Sequence, residues 1–123
     1  MRTTIAAVAA WALAAAQVHA GDNALQGEWS RGDGKARVRI APCGDDLCAV
    51  NTWIRPDVTG EKVGDRLVMT VRAAGADTWE GKAFDPQRHM TFRMRIDVGA
   101  QAMTTHGCVL GGLLCKTMGW TRL

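Results

Sequence analysis

Lys35-Ala36-Arg37-Val38-Arg39-Ile40 and Met90-Thr91-Phe92-Arg93-Met94-Arg95-Ile96-Asp97 decide the fold. In both stretches apolar and polar residues alternate one by one, the period of a strand with one face buried and the other solvated. An amphipathic helix needs apolar residues three and four apart, and no long segment has that spacing. Ala36, Val38 and Ile40 share a face opposite Lys35, Arg37 and Arg39. Met90, Phe92, Met94 and Ile96 share a face opposite Thr91, Arg93, Arg95 and Asp97. Leu67, Met69 and Val71 form a third inward set.

Turn signals separate these strands. Gly32-Asp33-Gly34 joins a first strand, around Trp29, to the second, and a third strand is expected near Ala49 to Ile54. Pro56 to Asp65 carries a proline and two glycines and is the longest plain loop. Ala73 to Asp77 reads as a hairpin tip. Asp85-Pro86-Gln87 is a turn in which proline pre-sets its own φ. Val98-Gly99-Ala100-Gln101 is a two-residue hairpin candidate. The last strand runs from Lys116 to Arg122. The expected fold is all-β, an antiparallel up-and-down barrel of about eight strands with no large helix. Closing the sheet removes its exposed edges. A two-sheet sandwich is the competing arrangement.

The start of the chain is a secretion signal by its pattern. Arg2 precedes an apolar run from Ile5 to Ala16, and Val18-His19-Ala20 fits the small-x-small cleavage rule. Residues 1–20 are therefore expected to be removed between Ala20 and Gly21, leaving one barrel domain over 21–123 in the periplasm or outside the cell. The run is shorter than the ~20 residues a spanning helix needs. No transmembrane segment is expected.

Four cysteines fall in two tight brackets, Cys43 with Cys48 and Cys108 with Cys115. Exported thiols pair, and brackets this short suit local clips across turns. Another connectivity, or a zinc site built from these cysteines and His106, is the rival reading. The zinc reading suffers because structural zinc sites favour Cys-x-x-Cys spacing.

The net charge of +3 is scattered. Arginines alternating with apolar residues mark a solvated strand face, and no aromatics are interleaved with them to stack bases, so nucleic acid is not an expected partner. No Gly-x-Ser-x-Gly occurs, and Ser30 is the one serine. His89 and His106 lack a haem-attachment motif, and Asp45-Asp46 is a solvated turn pair. No catalytic residue, metal or cofactor is assigned. Met69, Met90, Phe92, Met94 and Met118 remain as candidates to line a lumen, with plain core as the alternative.

Gly27-Glu28-Trp29 opens the first strand and Trp120-Thr121-Arg122 closes the last. In a closed meander those strands are neighbours, and a guanidinium can lie across an indole face. This pairing resembles the lipocalins and related calycin barrels, and by that resemblance Trp29 and Arg122 are structural closure residues. A longer resemblance follows from Gly34 to Ile40, Cys43-Gly-Asp-Asp-Leu-Cys48, Trp53, Trp79-Glu-Gly81, Asp85-Pro86, Gly107-Cys108 and Trp120-Thr-Arg122, in that order. These motifs resemble the exported bacterial family named domain of unknown function 2147, which has no established reaction. Ala49 and Ala83-Phe84 depart from that family's usual residues. The resemblance implies a non-catalytic, lipocalin-like barrel that binds a small apolar or amphipathic ligand. The alternative is an envelope protein-interaction or structural module with a filled barrel.

Overall fold

The computed structural model describes residues 24–123, together with 3, 4, 6 and 7. The apolar run and the cleavage position after Ala20 otherwise lie outside the described residues. Eight strands follow in order: β1 (Gly27–Arg31), β2 (Ala36–Cys43), β3 (Asp46–Ile54), β4 (Arg66–Ala73), β5 (Thr78–Asp85), β6 (Met90–Val98), β7 (Ala102–Val109) and β8 (Leu114–Arg122). Each pairs antiparallel with the next, and β1 pairs with β8, so the sheet closes into a barrel. A 3-10 turn, Leu110–Gly112, tops the β7–β8 hairpin.

The alternating faces point as the sequence pattern requires. Ala36, Val38, Ile40, Met69 and Ile96 are buried, and Leu67, Val71, Phe92 and Met94 pack against them. On β5 the inward residues are Trp79, Gly81, Ala83 and Asp85, and Phe84 is turned outward. Gly81 has a packing reason. A Cβ there would lie 2.0 Å from the Thr70 carbonyl oxygen, so only glycine lets β4 and β5 approach this closely.

Several boundaries differ from the sequence reading. β3 begins at Asp46, because the first cysteine bracket is itself a paired hairpin, Cys43 facing Asp46 around Gly44-Asp45. The last strand begins two residues earlier, at Leu114, since Cys108 faces Cys115 and Val109 faces Leu114. The β6–β7 connection holds three residues, 99–101, rather than two. β3 also carries a bulge. Val38 faces Asn51 while Arg37 faces Trp53, leaving Thr52 as the extra residue, its hydroxyl donating to the Arg37 carbonyl at 3.2 Å. The bulge reverses the inside–outside alternation beyond it. Trp53 therefore faces outward, where Arg37 lies 5.3 Å from its ring centre.

All four cysteines are paired, Cys43 with Cys48 and Cys108 with Cys115. Cys108 and Cys115 alternate with the inward residues of β7 and β8, so this clip lies on the outer wall.

Candidate functional site

One end of the barrel is solid. Trp29 and Leu25 have no exposed surface, and the Trp29 indole N–H donates to the Leu25 carbonyl at 2.9 Å. Trp29 faces Arg122 across the β1–β8 seam, and the guanidinium lies 4.2 Å from the indole ring centre. That guanidinium also donates to the carbonyls of Gln26 at 2.8 Å, Ala24 at 2.6 Å and Ala100 at 2.9 Å. A Cβ on residue 27 would meet Arg122 Nη1 at 2.8 Å, so the glycine of Gly27-Glu28-Trp29 makes room for the arginine.

The other end is open inside. The β1–β2 turn, the long 55–65 loop, the β5–β6 turn and the β7–β8 hairpin gather there. Two spaces lie beneath them. The first, about 170 Å³, reaches from core residues such as Met69, Ile96 and Met103 up to Glu61, Asp85 and Arg88. The second, about 360 Å³, is walled by Phe92, Gly107, Val109, Leu114, Met118 and Trp120, with Arg31 and Lys116 also lining it. Trp120 and Thr105 line both spaces, and the Trp120 indole N–H donates to the Thr105 hydroxyl at 3.0 Å.

The mouth is held by ion pairs. Arg31 points two donors at Glu61, at 2.7 and 2.9 Å, and its Nε at Asp33, at 2.9 Å. This bidentate fork pins the 55–65 loop across the end of the barrel. Hydrogen bonding from Arg31 holds the Glu61 carboxyl below its usual range, against an opposing push from partial burial. The Arg31 guanidinium is raised by the same bond to Glu61. Asp85 is buried at the top of β5. Burial pushes its carboxyl up. Bonds from Arg88 Nη1 at 2.8 Å, Gln87 Nε2 at 2.7 Å and two backbone N–H groups reverse this and leave it low. Arg88 donates in turn to the Gly60 carbonyl, tying the β5–β6 turn to the loop. Lys116 has no ion-pair partner among the described residues.

The lumen candidates separate in space. Phe92 and Met118 line the larger space and Met69 the smaller. Met94 packs against the core, and Met90, 39% exposed at the rim, lines neither space. Sequence reasoning missed Arg31, Thr105, Gly107, Val109, Leu114, Lys116 and the second role of Trp120. The available signal was the alternation of Thr105, Gly107 and Val109, which is faint because threonine and glycine carry little hydrophobic contrast. His106 faces outward, bonded to Thr117 at 3.1 Å and 3.3 Å from Asp97. His89 sits in the β5–β6 turn with a positive φ of 52°.

Residues 27–122 match the family described as "Uncharacterized protein conserved in bacteria (DUF2147)". No curated protein matches the chain. Among solved structures, a redesigned β-barrel is similar at 17% identity with a TM-score of 0.53, covering 81% of this chain and 91% of that one. That likeness speaks for the barrel fold alone.

Proposed function

The chain belongs to the DUF2147 family of uncharacterised proteins conserved in bacteria, and from that premise we propose that it is a non-catalytic exported carrier of a small anionic amphiphile. The observation that carries this reading is the 360 Å³ space at the open end. It falls within the roughly 300–1,000 Å³ of small-molecule sites, near the lower limit. Phe92, Val109, Met118 and Trp120 offer apolar walls, and methionine adapts to irregular chains. Lys116, which lines the space and has no ion-pair partner among the described residues, offers a positive charge to a carboxylate or phosphate head. Of the acids around the smaller space, Glu61 and Asp85 are bound to Arg31 and Arg88 and Asp65 accepts from the Lys62 backbone N–H, which argues for structural work rather than acid–base chemistry. The paired cysteines are compatible with export.

Gly107 supplies the test. A Cβ at this position meets nothing within 4 Å. Gly107→Leu therefore projects a side chain into the space from a Cβ that is itself clear of its neighbours. Titration with a fluorescent fatty acid should show saturable micromolar binding by the wild type. Gly107→Leu should weaken it on the order of tenfold or more, since the new side chain takes the ligand's room. Equal binding by the two proteins, or none by the wild type, would contradict the proposal.

A further inference from the structure

The β7–β8 hairpin ends in Leu110-Gly111-Gly112-Leu113-Leu114, and its leucines are 67%, 84% and 58% exposed. Leu110, Gly111 and Gly112 all have positive φ, of 54°, 66° and 93°. Glycine adopts that region freely, whereas a leucine there is strained and gains nothing from packing at this exposure. Asparagine or glycine would satisfy the same turn. The Cys108–Cys115 disulfide joins the two strands directly beneath the tip, so the finger is held out from the barrel. A bulky aliphatic is thus displayed on a stiff support at a backbone cost.

The outer wall below the finger is cationic. Lys82, Arg93, Cys108 and Cys115 form one cross-strand row, each facing the next. Neither Lys82 nor Arg93 has an ion-pair partner among the described residues. Leu114 belongs to the finger and also walls the larger space, so the apolar tip is continuous with the mouth of the cavity.

We propose that this hairpin is a membrane finger, which inserts Leu110 and Leu113 among the acyl chains of an anionic lipid surface while Lys82 and Arg93 meet the headgroups. Lipid is the occupant that the composition favours. A protein interface of ordinary size needs about 800 Å² per partner and draws on aromatic or arginine anchors. The tip, Leu110 to Leu114, is leucine and glycine alone, too small for such an area and without an aromatic anchor. A bilayer boundary asks only for aliphatic side chains with cations set behind them. The inference concerns the outer tip and does not depend on what the cavity holds.

Flotation with vesicles tests it. The protein should be used without residues 1–20, since that apolar run would bind lipid by itself. All eight strands lie within 27–122, so the barrel is retained whole. The wild type should float with phosphatidylglycerol vesicles, and added salt should weaken the association. Leu110→Ser/Leu113→Ser should reduce binding on the order of tenfold with an unchanged Tm. Lys82→Glu/Arg93→Glu should lose phosphatidylglycerol binding with little effect on phosphatidylcholine. Gly107→Leu should float like the wild type, so failure of the carrier reading is scored separately. Wild-type protein that stays with the buffer, or a serine variant that floats equally well, would overturn the finger. So would a dimer, seen by sedimentation, that the serine variant dissociates while neither protein binds vesicles.

Discussion

Removing the Arg122 side chain should open the closed end of the barrel. In Arg122→Ala three kinds of contact disappear together. The stack on Trp29, at 4.2 Å from the ring centre, accounts for about 0.5–2 kcal/mol. The part-buried bond to the Gln26 carbonyl, at 2.8 Å, is charge-assisted and contributes about 1.5–3 kcal/mol. The bonds to Ala24 and Ala100 are exposed, and water replaces them at little loss. The expected destabilisation is about 2–5 kcal/mol, against a total of about 5–15 kcal/mol for a domain of this kind. The variant should therefore remain folded at room temperature. At ~4–8 °C per kcal/mol, Tm should fall by about 8 °C at the least. Calorimetry and urea unfolding would measure it. Arg122→Lys should recover only a minor part, because an ammonium can neither stack as a plane nor reach three carbonyls. A fall of less than about 4 °C for Arg122→Ala, or full recovery with lysine, would refute the closure argument.

Three further outcomes follow from the same geometry. Asp85, Asp33 and Glu61 all have folded-state values below their ordinary 3.8, 3.8 and 4.5, so their stabilisation is complete above those values and is lost as pH falls through the lower folded ones. Tm should be level down to about pH 5 and drop below about pH 4, with amides in the 55–65 loop exchanging early, and Glu61→Gln should advance that exchange at neutral pH. Phe92→Ala enlarges an existing space rather than creating one, so urea unfolding should register less than the ~3–5 kcal/mol of a fully buried phenylalanine. Replacing Cys108 and Cys115 by alanine removes a short loop closure of about 2–2.5 kcal/mol, and non-reduced peptide mapping of the wild type should recover both local pairs.

The barrel was legible because its central strands carry strong contrast. Ala36-Arg37-Val38-Arg39-Ile40 and Met90 through Asp97 leave little doubt about which face is inside, and the short turns between them force neighbours to pair. The bulge at Thr52 was not legible. Nothing in Val50-Asn51-Thr52-Trp53-Ile54 marks the extra residue, and a one-residue slip sends Trp53 to the opposite face. β7 was faint for a related reason, since Thr104-Thr105-His106-Gly107 has almost no apolar contrast. The mouth was hidden by distance along the chain. Arg31 and Glu61 are thirty residues apart and meet only because the loop folds back over the barrel end. Met69, Phe92, Met94 and Met118 line a space or pack on the core while Met90 is exposed at the rim, and sequence cannot divide such a set between packed core and open space. That division depends on how far up the barrel each side chain sits.

The carrier reading is tested most directly by native mass spectrometry of the protein purified from its own host. The account predicts a one-to-one adduct with the mass of an anionic amphiphile, released by organic solvent and missing from Gly107→Leu produced in the same way. A wild-type protein that flies bare under gentle conditions, or an adduct retained equally by Gly107→Leu, would contradict it.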